Sequence, residues 1–197
     1  MSDAPSRLCV DEVDQARARE YSLLATLLLR SPDAVLLGRL AELHGDSSPL
    51  GVAHTALGEA AARTDAERLA REYFDLFVGV GRGELLPYAS YYQTGFLHAR
   101  PLAQLRETLR RIGVERADSL TEPEDHAAIL FEIMAALAGG EIAAPDGTDR
   151  EVFESHLAPW IGRFFRDLEQ AKAADFYARV AALGRIFTAI ETEAFTL

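Results

Sequence analysis

Two short stretches hold the residue types best suited to chemistry. One is Pro87-Tyr88-Ala89-Ser90-Tyr91-Tyr92, preceded by Gly79-Val80-Gly81-Arg82-Gly83; the other is Glu122-Pro123-Glu124-Asp125-His126. Tyrosines present aromatic faces with polar tips, suited to peptide recognition and to holding a guanidinium by cation–π contact. Asp125 could accept charge-assisted hydrogen bonds from an arginine, the strongest contacts open to these side chains. Alternate glycines free the backbone and let a ligand main chain approach closely. Each stretch also has a structural reading. The loop could be pinned to the core by its own tyrosines. Glu122, Glu124 and Asp125 could complement a helix N-terminus while His126 faces inward. Residue types alone leave both readings open.

Catalytic and cofactor alternatives find less support. The histidines His44, His54, His98, His126 and His156 show neither His-x-x-x-His nor Glu-x-x-His spacing. Cys9 is the only cysteine, so neither an internal disulfide nor a multi-thiolate zinc site is expected. Ser90 lacks a Gly-x-Ser-x-Gly setting and a local base. The Gly79–Gly83 run follows a helical pattern rather than a strand, Pro87 comes soon after, and the only lysine is the distant Lys172. A phosphate loop needs the opposite arrangement. No catalytic residue, metal or cofactor is expected.

The elements that position these stretches are helical. Ala16, Glu20, Leu23, Leu24, Leu27 and Leu28 mark one amphipathic helix over 13–29, stopped by Ser31-Pro32-Asp33. Further helices are expected over 33–44 and 51–63. Thr64-Asp65-Ala66-Glu67 has capping-box spacing, with Thr64 as the cap of a helix running to about Phe77 on a stripe of Leu69, Tyr73, Leu76 and Phe77. Residues 79–92 then read as a loop. Pro101 opens another helix to Ile112, and Thr121-Glu122-Pro123-Glu124 repeats the capping-box spacing before a helix to about Ala138. Segments 149–157, 159–171 and 174–193 complete the pattern, with Trp160, Phe164, Phe165 and Leu168 as core. Strand alternation and βαβ rhythm are missing. The expected fold is all-α, one bundle of about nine to ten short helices. Residues 1–12 are expected to be flexible, and residues 13–197 to form the helical domain. Its N-terminal half would reach about 113, a linker would cover 114–120, and the second half would begin at 121.

The formal charge of −11 over 197 residues argues against sequence-independent nucleic-acid binding and favours basic or neutral partners. No apolar run approaches the ~20 residues that span a bilayer, so membrane insertion is not expected. The first residues, Met1 to Asp14, carry no apolar stretch of a secretory signal. A cytoplasmic location is expected.

Taken in order, these motifs resemble a known family. Glu72-Tyr73 with Leu76-Phe77 and Gly79, the Pro87-Tyr88-x-Ser90-x-Tyr92 loop, Glu122-Pro123-x-Asp125-His126, His156-Leu157-x-Pro159-Trp160 and Asp175-Phe176-Tyr177 look like the TorD/DmsD/NarJ chaperones of molybdenum-containing redox enzymes. The likeness covers roughly residues 15 to 193. It implies a non-enzymatic protein that binds the twin-arginine signal peptide, or an equivalent N-terminal segment, of a molybdopterin oxidoreductase catalytic subunit. The subunit would be held for cofactor insertion before export. It also implies a monomer or a homodimer formed by exchange of halves. Leu76, Pro87, Tyr88 and Ser90 match the family's loop and its lead-in, and Asp125 and His126 match its Asp-His pair. Phe77, Tyr91, Tyr92 and Glu122 join them as peptide-binding candidates. Tyr88 stands where other members often carry tryptophan. Thr94-Gly95-Phe96 after the loop looks closest to the branch associated with formate dehydrogenases. The rival readings are an assembly or adaptor protein for a folded redox subunit and, third, a weak nucleotide binder.

Overall fold

In a computed structural model, residues 11–116 and 121–196 are described. Residues 1–10, Cys9 among them, and most of the 114–120 linker lie outside these residues; Asp11 and Glu12, expected within a flexible start, instead cap and open the first helix. Ten α-helices appear among the described residues: α1 (Glu12–Leu29), α2 (Ala34–Leu40), α3 (Pro49–Ala62), α4 (Ala66–Tyr73), α5 (Ala89–Thr94), α6 (Arg100–Arg111), α7 (Ala127–Ala138), α8 (Thr148–Val152), α9 (Ala158–Glu169) and α10 (Phe176–Thr196). Single π-helical turns extend α4 (Phe74–Val78) and α8 (Phe153–Leu157). The fold is an all-helical bundle.

Local chemistry sets the helix starts. Asp11, Asp33, Ser48 and Asp65 each accept a hydrogen bond from a first-turn amide, at 2.8, 2.8, 3.1 and 2.9 Å. Asp65 therefore caps α4, not Thr64, whose own amide still donates to Ala61 O at the end of α3. A carboxylate accepts more strongly than a hydroxyl, which favours this register. Ser48 and Pro49 open α3 two residues before its expected start, because proline at N1 forfeits no helical bond. The second helix stops at Leu40, short of His44.

The core is one continuous cluster drawn from nearly every helix. α1 packs along α7, and α10 lies against α9 and α3. Aromatic rings fill the centre. Tyr21 meets Phe187 edge-on at 4.7 Å, and Phe164 and Phe165 sit 5.3 Å apart. Trp160, Phe164, Phe165 and Leu168 are buried as their spacing predicts. On α1 the buried stripe is Glu20, Tyr21, Leu24, Ala25, Leu27 and Leu28; Ala16 is exposed.

Polar groups tie the helices at depth. Arg17 bonds Glu191 at 2.9 Å and Asp149 at 3.0 Å, and the Tyr21 hydroxyl donates to Glu191 at 2.7 Å. This cluster joins α1, α8 and α10. Glu72 of α4 accepts from the amides of Asp175, Phe176 and Tyr177, at 2.9, 3.3 and 2.7 Å. It therefore caps α10 from outside that helix.

Candidate functional site

The two stretches singled out by residue type meet in space. Leu76 O accepts from Leu85 N (2.8 Å) and Asp75 O from Glu84 N (3.0 Å), so the π turn after α4 holds the outgoing loop. Gly79 turns the chain with φ +63°, and a Cβ there would sit 2.0 Å from Arg82 O. Gly83 is likewise crowded by Leu76 and Phe77 backbone, which leaves only Gly81 of the three open to an incoming chain.

Pro87 then delivers Tyr88 to a single antiparallel bridge with His126. Ala89 N donates to Asp125 O (2.9 Å) and Ala127 N to Pro87 O (2.8 Å). Ser90, Tyr91 and Tyr92 are helical, on α5, rather than part of a continuous loop. The reason is long-range: Asp125 Oδ2 accepts from Ser90 N at 2.8 Å and caps α5 across the junction.

That bridge also moves the start of α7. The expected capping box at Thr121–Glu124 does not form, and the helix begins at Ala127 with His126 as its cap. His126 Nδ1 accepts from Ala128 N at 3.1 Å. Glu124 is drawn away by Arg106, whose guanidinium holds it through two bonds of 3.0 and 2.8 Å. This pairing keeps the Glu124 carboxyl below its ordinary range, against the opposing effect of burial. Glu122 accepts from the Tyr88 hydroxyl at 2.7 Å. Burial and that carboxylate raise the Tyr88 phenol. Burial pushes the His126 imidazole down to about 4, so the ring is neutral at pH 7.

Six of the expected site residues are therefore contiguous: Pro87, Tyr88, Ser90, Glu122, Asp125 and His126. The others lie elsewhere. Leu76 is wholly buried beneath the loop, and Phe77 packs on Tyr73 and Tyr177 at 5.1 and 5.4 Å. Tyr92 is buried between Trp160 and Phe164, at 5.5 and 5.8 Å. Tyr91 lies beyond the junction, under the Arg82 guanidinium. These four support the junction instead of lining it.

A cleft of about 260 Å³ opens where α5, the turn after it and the 121–125 turn converge. Tyr88, Ser90 and Asp125 line it, joined by Leu97, His98, Thr121 and Pro123. His98 has φ +58°, the only non-glycine with positive φ among the described residues. Nothing in the sequence marks it beyond its place after the Gly95 that ends α5. Two polar atoms of these lining residues, Ser90 Oγ and Asp125 Oδ1, are buried without a hydrogen-bond partner among the described residues. Among the described residues no three His, Cys, Asp or Glu side chains gather as metal ligands, and no helix is long and apolar enough to cross a membrane.

Residues 44–166 match the family model described as nitrate reductase delta subunit. Over 142 residues the chain is 33% identical to the chaperone protein TorD of Vibrio cholerae serotype O1, covering 67% of this chain and 64% of that relative's length. It is 24% identical over 204 residues to the chaperone protein TorD of Shewanella loihica, covering 92% and 93%. A solved structure of a protein assigned as a redox enzyme maturation protein, from Archaeoglobus fulgidus, shares the fold with a TM-score of 0.57 at 22% identity, over 87% of this chain and 92% of that one. The chain belongs to the TorD/DmsD/NarJ family.

Proposed function

We propose that this protein is a non-enzymatic, cytoplasmic maturation chaperone that binds the twin-arginine signal peptide, or an equivalent N-terminal segment, of a molybdenum-containing oxidoreductase catalytic subunit. It holds that subunit for cofactor insertion before export. The observation that carries the reading is the cleft at the Tyr88–His126 junction, lined in part by Asp125, whose carboxylate has one buried oxygen without a hydrogen-bond partner among the described residues. A twin-arginine segment offers guanidinium donors followed by an apolar run. The protein's net charge of −11 attracts the first. Exposed Phe96 and Leu97 beside the cleft can cover part of the second, and apolar burial contributes about 25 cal/mol per Å² before ordering costs.

Calorimetric titration with N-terminal peptides of molybdenum-enzyme subunits from the same genome, formate dehydrogenases included, tests this. One peptide should bind, and replacing both its arginines by alanine should abolish binding. A second reading has a folded redox subunit docking on the apolar side chains Phe74, Val78 and Val80, which the π turn and the loop after it expose. Binding of the folded subunit with no binding of any peptide would favour it.

A further inference from the structure

A carboxylate sits in the inward stripe of α1, where Glu20 is buried beside Tyr21, Leu24, Ala25, Leu27 and Leu28. Burying a carboxylate is costly unless it is paired. Two buried carboxylates meet this helix, and they are paired differently. Glu191 of α10 is held by Arg17, a cation that keeps its proton at any pH where the chain is folded. Glu20 is held by a histidine, the one cation that changes charge near neutrality. Both Glu20 oxygens lie against His54 Nε2 of α3, at 3.1 and 3.0 Å. Among the described residues no other side chain pairs with Glu20, and no other polar contact joins α1 to α3. α3 packs instead on α2 and α10.

The His54 ring is set for its charged form. The hydrogen bond to Glu20 is the larger influence, and the Leu50 backbone, one turn earlier on α3, adds to it. Together they outweigh the partial burial of the ring and raise the imidazole above its ordinary value. An imidazolium donates from both nitrogens, a neutral imidazole from only one. Loss of the proton therefore leaves one of the two acceptors facing a lone pair. Glu20 is the charge that acts on this ring. On the surrounding elements Glu59 pairs with Arg63, Arg185 with Glu169 and Arg17 with Glu191, while Arg19, Arg39, Arg179 and Glu193 are exposed.

We propose that His54 and Glu20 form a proton-operated clamp between α1 and α3, closed while the imidazole is charged and loosened when it is neutral, so that the α2–α3 hairpin opens more readily in alkaline solution. The folded chain binds the His54 proton more tightly than the unfolded chain does. The stability this contributes is complete below about pH 6.5 and is lost as pH rises through the higher folded value. His126 acts with the opposite sign, because its buried ring is neutral and resists protonation. The loosening is local. Arg17 keeps α1 tied to α10 through Glu191 whatever the state of His54, whereas α3 has no permanent ion pair to α1 among the described residues.

Amide hydrogen exchange and histidine NMR on the full chain test the clamp. Between about pH 6 and about pH 8.5, protection factors of the α3 amides should fall at least about threefold while those of α9 stay level. The His54 ring should titrate above the ordinary histidine value. Glu20→Gln keeps an acceptor for Nε2 but removes the charge, so it should bring the His54 titration back toward that value and abolish the alkaline loss of α3 protection. His54→Gln cannot titrate, and its α3 protection should not vary with pH. Level α3 protection in the parent, or an equal alkaline fall in His54→Gln, would overturn the clamp. So would a His54 titration at or below the ordinary value, a result read on the parent alone and independent of whether either variant folds.

Discussion

Asp125 divides its work between two oxygens. Oδ2 caps α5 through Ser90 N, while Oδ1 is buried without a hydrogen-bond partner among the described residues. Replacement by alanine therefore strands a buried amide, at about 1–3 kcal/mol, and should lower the melting temperature by several degrees. Asparagine retains a carbonyl for the cap but puts an NH₂ group in place of the second oxygen, so Asp125→Asn should keep most of the stability and lose the peptide. Thermal melts and titrations on both variants check the split. His126 gives a pH signature. Burial holds its imidazole near 4, against about 6.5 in the unfolded chain, so the unfolded chain binds more protons between those values. The stability contributed by the neutral ring is complete above pH 6.5 and is lost as pH falls through that window. Cleft and packing partners Glu122 and Asp125 pull the other way, more weakly than burial pushes. His126→Asn keeps an acceptor for Ala128 N and cannot titrate. Urea midpoints at pH 7 and pH 5 should show the parent losing on the order of 2 kcal/mol more than this variant.

Between elements, the decisive contacts are carboxylates that cap helices far away in sequence. Glu72 serves three amides at the start of α10, and Glu84 accepts from Lys172 N and Ala173 N at 2.8 and 3.2 Å just before it. Glu72→Ala should cost about 1–2 kcal/mol, the range of a lost cap, and Glu72→Gln distinctly less; urea unfolding measures both. These contacts also explain what was legible. Leu24, Leu28, Leu69, Trp160 and Phe164 recur at helical spacing, and they are buried where that spacing puts them. Helix starts with a cap beside them, such as Asp33, were within reach of local reasoning. The start of α7 was not, because Glu124 is claimed by Arg106 and Asp125 by Ser90, partners 18 and 35 residues away. The same long-range cap turned an expected loop into α5. The π turns at Phe74–Val78 and Phe153–Leu157 carry no local signal at all. For the site, the motif residues named the junction, but His98 and Leu97 entered only through its geometry.

On the scale of the whole molecule, the proposed function assigns the net charge and the cleft to different stages of binding. A charge of −11 on a chain of this size attracts a cationic segment over distances set by the Debye length, about 10 Å at 0.1 M salt. That long-range field governs encounter and is screened by salt. The Asp125 carboxylate beside the cleft is enclosed by protein, where screening is weak. On the proposed function it governs residence. Apolar contacts of the following run with Phe96 and Leu97 also resist salt, so they belong with residence. The two stages can be separated by measuring association and dissociation rates of a labelled twin-arginine peptide while NaCl is raised from about 50 to about 500 mM. Association should slow by roughly tenfold, as expected for electrostatic steering, while dissociation changes by less than about threefold. Asp125→Asn should do the converse, speeding dissociation with little effect on association. If dissociation instead accelerated with salt as steeply as association slowed, both arginines would be held by exposed ion pairs at the rim, and the enclosed oxygen of Asp125 would play no part in holding the segment.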